Sequence, residues 1–225
     1  RNDKGTITVF GRDHRRDEAA IKAQIGYVSP DLVFDAFGRV DKVVSFYRSF
    51  FPDWDDPYCE ELAHRFKLGW RDNISTLSFG SRTKLGLLLA LSHRPKLLLL
   101  DEPLSGVDAV SKHEIFTELL EAVQAEDRTV LITSHNLDAI ERFADHIGIL
   151  HNGKMLLEGS CVDLLERFCF VDCTAHNGAK PGTLPGIRIQ RQDGDRYRLL
   201  ADRSQSGFAR LAEHGMREIG VTPVN

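Results

Sequence analysis

The chain has 225 residues, 42% of them hydrophobic, and a formal net charge of -4. That length suits one large domain, or a domain with a small appendage, and the charge excludes a generally cationic surface for nucleic acid. No apolar run approaches the roughly 20 residues of a spanning helix and no signal-peptide pattern occurs, so membrane association is expected only through a partner. The four cysteines, Cys59, Cys161, Cys169 and Cys173, fit reduced thiols in the cytoplasm better than a secreted disulfide scaffold. Cys169, Cys173 and His176 offer three candidate ligands in no usual zinc spacing, and they read as ordinary core and loop residues.

Taken in order, Gly5 to Gly11 alternates between glycines and predicts a strand near a sheet edge. A charged stretch follows, with a short helix over Glu18 to Gln24. Ile25 to Val28 predicts the next strand, ending at Ser29-Pro30-Asp31. Residues 40 to 68 predict two helical pieces, split between Pro52 and Pro57. Phe46, Phe50, Phe51 and Trp54 form an aromatic stripe that serves equally as core or as a partner's groove.

A helix is predicted to begin near Ser81, after Leu77-Ser78-Phe79-Gly80. Such a start carries unpaired N–H groups and a positive dipole end, which together bind phosphate. Gly80 lets backbone approach closely and Ser78 offers a hydroxyl, although Ser78 also reads as a plain N-cap. Arg82 and Lys84 read either as added positive field or as solvated helix residues.

Leu97 to Leu100 shows no alternation and predicts a strand buried on both faces. It ends in Asp101-Glu102-Pro103, at the strand end where open α/β sheets place their ligands. Asp108 caps or precedes a helix running to about Ala125, with Ile115, Leu119, Leu120 and Val123 on one buried face. Thr129 to Ser134 predicts a second buried strand, followed by His135. Beyond it come a short helix over Asn136 to Ala144, then a hairpin pairing Ile147–Leu150 with Met155–Glu158 around Asn152-Gly153, then a helix over Val162 to Phe168. Residues 169 to 225 predict a small α/β appendage. It has a strand at Arg196–Leu200 and a helix around Phe208 to His214, with no readable catalytic motif.

Leu77–Ser81, Leu97–Glu102, Ser105–Asp108 and His135 together resemble the signature, Walker B, D-loop and switch-histidine segments of ATP-binding cassette (ABC) transporter ATPase subunits. Each segment alone is a weak signal, but four in this order and spacing are a strong one. The likeness covers most of residues 5 to 160 and is nearest to small bacterial exporters with ABC-2-type membrane subunits. It implies an α/β, P-loop NTPase-like core over residues 1–168, with a helical subdomain at about 38–95 and the appendage at 169–225.

Carried onto this chain, the resemblance makes Asp101 the magnesium ligand and Glu102 the residue that orients or deprotonates the attacking water. His135 becomes a donor to the terminal phosphate, Ser78 and Gly80 phosphate contacts, and Asp108 a residue of the dimer interface. ATP and Mg2+ are the implied cofactors. The implied partners are a transmembrane permease and a second ATPase subunit, as homodimer or heterodimer, with no nucleic acid. The implied location is the cytoplasmic, inner face of the cell membrane.

There are departures from the family pattern. Phe79 replaces the first signature glycine, and Ser81 stands where glutamine is common. Pro30 stands where the family has a glutamine that helps bind magnesium and senses the membrane subunit. Proline has neither side-chain polar group nor N–H, so Asp31 either reaches the metal from a displaced loop or is a solvated turn residue. No GxxxxGK[ST] phosphate loop occurs in the 225 residues. The expectation is a partial sequence, inactive alone, whose upstream coding region supplies that loop. A second reading is a catalytically inactive ABC-fold interaction or regulatory subunit. A third, a DNA-repair or chromosome-organising ATPase, ranks low because only a short helical insert separates Val28 from Leu77.

Overall fold

A computed structural model describes residues 4–124, 128–135, 144–176 and 178–224. The chain divides into two compact units, residues 1–135 and 136–225. The hairpin and the helix after it therefore belong to the second unit.

The first unit is built on a parallel three-stranded sheet of β3 (Ile25–Val28), β4 (Leu97–Asp101) and β5 (Thr129–Thr133), with β4 in the middle. Before it come β1 (Thr8–Val9), β2 (Arg12–Asp13) and the helix α1 (Glu18–Lys22). The single strand expected over Gly5 to Gly11 is instead a two-residue hairpin. Phe10 and Gly11 turn it with φ of 53° and 73°, a conformation that ends extended pairing.

Three helices separate β3 from β4: α2 (Val40–Arg48), α3 (Asp56–Arg65) and α4 (Phe79–Leu91). Pro57 falls in the first turn of α3, where its missing N–H costs nothing. Asp55 caps that helix by accepting from the Tyr58 N–H. The hub is α4. Its Leu-Gly-Leu-Leu-Leu-Ala-Leu run is apolar on all sides, and every residue from Thr83 to Leu91 is buried, as expected of a helix enclosed by its neighbours. It packs on β3, α2, α3 and α5 (Ala109–Gln124). Gly26 permits the closest of these approaches, because a Cβ there would sit 2.4 Å from the Ala90 carbonyl oxygen.

The core cluster gathers Leu62, Ile74, Leu85, Leu88, Leu98, Leu100 and Ile115, all fully or almost fully buried. Two expectations about the strands need correction. β4 alternates: Leu98 and Leu100 are enclosed, while Leu97 and Leu99 are only half-buried. β5 is an edge strand, and every second side chain is exposed. Tyr27, Leu99 and Leu131 share one register row, and Tyr27 and Leu131 are 49% and 60% exposed. The apolar run thus reflects a sheet covered on one face among the described residues.

The second unit begins with β6 (His146–His151) and β7 (Lys154–Ser160). Asn152 and Gly153 turn the hairpin with φ of 47° and 72°, both left-handed, as a two-residue hairpin turn requires. The helix expected over Asn136 to Ala144 falls outside the described residues. Next come α6 (Cys161–Arg167) and an antiparallel four-stranded sheet. Its strands are β8 (Phe168–Ala175), β9 (Ile187–Asp193), β10 (Arg196–Asp202) and β11 (Met216–Pro223), in spatial order β11-β8-β10-β9.

One face of this sheet buries Cys169, Val171, Cys173, Leu199, Ala201 and Met216 against Leu184 and Leu211. Cys169 and Cys173 are core residues, with the Cys173 thiol 3.9 Å from the Met216 sulfur. The helix expected around Phe208 to His214 is only α7 (Ser206–Ala209). Residues 210 to 215 are turns.

Candidate active site

The carboxyl ends of β4 and β5 bring three of the expected residues together. Asp101 closes β4 opposite Thr133. The Thr133 hydroxyl donates to Asp101 Oδ1 at 2.6 Å. It also accepts from the Glu102 N–H at 3.1 Å, and that N–H is shared with the Thr133 carbonyl at 3.2 Å. One hydroxyl thus pins the backbone of one acid and the side chain of the other. His135 Nδ1 donates to Glu102 Oε2 at 2.9 Å, which leaves the ring's Nε2 free for another partner.

Glu102 has φ of 46°. That left-handed conformation is unfavourable for a residue with a Cβ, and it swings the carboxylate out of the strand direction toward the end of β5. Thr133 is the residue that sequence reasoning missed. A threonine inside an apolar strand reads as a β-former, and only the register places its hydroxyl beside both acids.

The remaining expected residues form a second group, at the start of α4 and α5. Ser78 is the N-cap of α4: its hydroxyl accepts from the Ser81 N–H at 3.1 Å and lies 2.9 Å from the Ser81 hydroxyl. Gly80 is buried, and a Cβ there would meet the Ser111 Cβ at 3.2 Å. The glycine therefore lets α4 and α5 start close together. The exposed Phe79 ring lies over Gly106, in the position the family gives to a glycine. Asp108 caps α5 by accepting from the Val110 and Ser111 N–H groups at 3.1 and 3.0 Å. Hydrogen bonds from Ser111 and Val110 hold its carboxyl below the usual carboxylate range. Among the described residues no hydrogen bond links this group to Asp101, Glu102 or His135.

The structure also decides between readings left open by the sequence. Arg82 is clamped by both Asp35 oxygens at 2.9 and 3.0 Å. Lys84 is buried and paired with Glu114 at 3.0 Å. Neither is a solvated helix residue, and both charges are already matched. Asp31 is exposed, with its N–H 3.3 Å from the Ser29 hydroxyl in a turn. Beside it a shallow cavity of about 180 Å³ is lined by Pro30, Val33, Phe34, Phe79 and Arg82. The aromatic stripe divides: Phe51 turns inward and stacks on the buried His93 at 3.9 Å, while Phe46 and Phe50 face outward, 47% and 63% exposed.

A family model described as an AAA domain, putative AbiEii toxin, Type IV TA system, matches residues 4–141. The chain belongs to this AAA-domain family. Its relatives are ABC transporter ATP-binding proteins, in agreement with the motifs. The ABC transporter ATP-binding protein YtrB of Bacillus subtilis (strain 168) is 33% identical over 166 residues, covering 74% of this chain and 56% of YtrB. The lantibiotic transport ATP-binding protein SrtF of Streptococcus pyogenes is 39% identical over 85 residues, covering 38% of this chain and 37% of SrtF.

Among solved structures, an ATP-binding subunit of an ABC transporter aligns with a TM-score of 0.63 at 21% identity, covering 73% of this chain and 70% of that one. A second, cbiO1 of Clostridium perfringens, part of the cbiONQ complex, aligns with a TM-score of 0.61 at 23% identity, covering 73% and 69%. These likenesses establish the fold as that of an ABC-type, P-loop NTPase-like ATPase. The chain spans a little over half the length of YtrB and less of SrtF.

Proposed function

We propose that this chain is part of the ATP-binding and ATP-hydrolysing subunit of a membrane exporter, with hydrolysis at an interface between two such subunits. The observation that carries the proposal is the linked set Asp101, Glu102, Thr133 and His135 at the ends of adjacent strands. It supports the reading by bringing together the residues proposed as metal ligand, base and hydrogen-bond donor to the terminal phosphate.

Asp101 fits magnesium: it is exposed, one oxygen is engaged by Thr133, and the other is available to a hydrated cation. When bound, magnesium supplies charge neutralisation at the phosphates. Glu102 orients water and takes its proton. His135, tethered through Nδ1, presents Nε2 toward the terminal phosphate. Ser78 and Asp108, at helix starts that the buried Gly80 lets approach closely, face the nucleotide held by the second subunit. A transmembrane permease is the proposed partner, with the exposed Phe46 and Phe50 as its contact. The proposed location is the cytoplasmic face of the membrane.

The test is made in the full gene product. Glu102→Gln should lower steady-state phosphate release by at least about 10²-fold, the low end for a positioned base. ATP binding should persist and ATP-dependent dimers should accumulate in light scattering. Hydrolysis at the parental rate would remove Glu102 from the role of base. A second reading, a catalytically inactive interaction subunit, is favoured by Pro30, which has no side-chain ligand for a metal. It predicts no nucleotide-dependent dimer in any length of the gene product.

A further inference from the structure

The four-stranded sheet of the second unit has one face in its core and one face outward. Register pairing assigns each side chain to a face. The outward face carries Arg188 and Arg191 on β9, Arg196 and Arg198 on β10, and Arg217 on β11, all exposed. These five arginines lie in a chain whose net charge is -4. Arg191 stands directly opposite Arg198, a like-charge pairing that weakens a sheet. Among the described residues none of the five has an acidic partner within salt-bridge distance.

The same face holds three aspartates. Asp202 is already bound by Arg167. Asp172 and Asp193 lie opposite Arg198 and Arg196 respectively. The face therefore keeps a clear positive excess that the fold itself does not neutralise.

We propose that this sheet face docks on the anionic phospholipid surface of a membrane. Guanidinium groups bind phosphate in a forked, bidentate way, and basic side chains at an anionic leaflet add attraction one by one. The alternative polyanion, single-stranded nucleic acid, needs aromatic rings for its bases. Phe170, on the central strand β8, already carries the Arg198 guanidinium 4.8 Å from its ring centre. Its neighbour on β10 is Leu200 rather than a second aromatic. The face thus offers exposed phosphate-binding guanidinium groups, and its two rings, Phe168 and Phe170, already carry Arg167 and Arg198.

The choice of a membrane as the source of phosphate rests on the transporter reading above. The contact itself is an addition to that reading, which brings the chain to the membrane only through a permease.

The test is co-sedimentation of the 225-residue chain with vesicles of phosphatidylcholine containing phosphatidylglycerol, and with phosphatidylcholine alone. Binding should require phosphatidylglycerol and weaken with added salt. Arg191→Gln with Arg198→Gln should lower the partition coefficient roughly 25-fold, at roughly fivefold per arginine. Asp172→Asn should raise it by up to roughly fivefold with phosphatidylglycerol and leave phosphatidylcholine vesicles unbound, which separates the charge effect from apolar surface exposed by a damaged fold. The proposal is overturned if phosphatidylglycerol confers no binding, or if neither variant shifts it. Tighter binding of a fluorescent single-stranded oligonucleotide than of the vesicles would also overturn it. No permease or ATP enters the assay, so its failure leaves the ATPase reading to its own phosphate-release test.

Discussion

Asp202→Asn is the sharpest probe of the second unit. Asp202 closes β10 and is 8% exposed. Its carboxylate accepts from Arg167 at 2.9 and 2.7 Å, from the Ser204 hydroxyl at 2.6 Å and from the Ser204 N–H at 3.0 Å. Arg167 first, then Ser204, hold its pKa down at about 2, against 3.8 for an ordinary aspartate, although burial pushes the other way. A depressed pKa contributes stability that is fully present above 3.8 and is lost as pH falls through about 2.

Full conversion of that displacement would give about 2.5 kcal/mol. The Arg167 side chain is 36% exposed and water screens the pair, so about 1–2 kcal/mol is expected. Asparagine is close in shape to protonated aspartic acid. Asp202→Asn should therefore destabilise the sheet by that amount at pH 6, and the difference should shrink to at most about 0.4 kcal/mol at pH 2, where half the parent carboxyls are still ionised. Tryptophan fluorescence would miss the change, because Trp54 and Trp70 lie in the first unit. Pulsed hydrogen exchange of β8 and β10 peptides across a urea series reads it directly. A difference between variant and parent that stays constant from pH 6 to pH 2 would refute the linkage, and so would no difference at pH 6.

Three further outcomes follow from the first unit. Thr133→Val keeps the β-branched shape but removes the hydroxyl shared by Asp101 and Glu102. It should cost about 1 kcal/mol in urea denaturation, and Thr133→Ser should restore most of it; equal losses in both would assign the effect to packing. Gly26→Ala would drive a methyl against the Ala90 carbonyl and should cost about 1–3 kcal/mol, read by tryptophan fluorescence in urea. In the full gene product, His135→Ala should slow phosphate release while leaving dimerisation intact, and an unchanged rate would remove His135 from the site.

What was legible in the sequence had a local cause. α2 and α3 follow from apolar periodicity, α4 from its Ser78 start signal, and the hairpin after β6 from Asn152-Gly153, whose left-handed φ values few other pairs accept. The acid pair and His135 were legible through order along the chain. Burial was not: Leu97 to Leu100 reads the same whether one face or both are covered. The second unit was least legible. β8 buries Cys169, Val171, Cys173 and Ala175, but its other side chains include Phe168 and Phe170, so the alternation is masked. In β9 only Ile187 and Ile189 are apolar, and a register shift just beyond Ile189 changes which face the following residues take. Net charge hid the basic face for the same reason: an average over the chain says nothing about which arginines share one side of a sheet.

The conformation of Glu102 bears on why an acid stands there at all. A left-handed residue after a strand is most cheaply a glycine, and nine glycines elsewhere in the described chain take positive φ. Glutamate at φ of 46° carries a cost of about 1–2 kcal/mol. The backbone gains nothing from the side chain that glycine would not give it. The side chain's own contact is the hydrogen bond from His135, whose ring is 76% exposed, and an exposed pair of this kind adds little stability. Strain at Glu102 is thus not returned by the fold around it. Phe10, Lys67, Arg94 and Asn152 also take positive φ without a role in the site, so the strain at Glu102 supports the catalytic proposal through its place beside Asp101, Thr133 and His135.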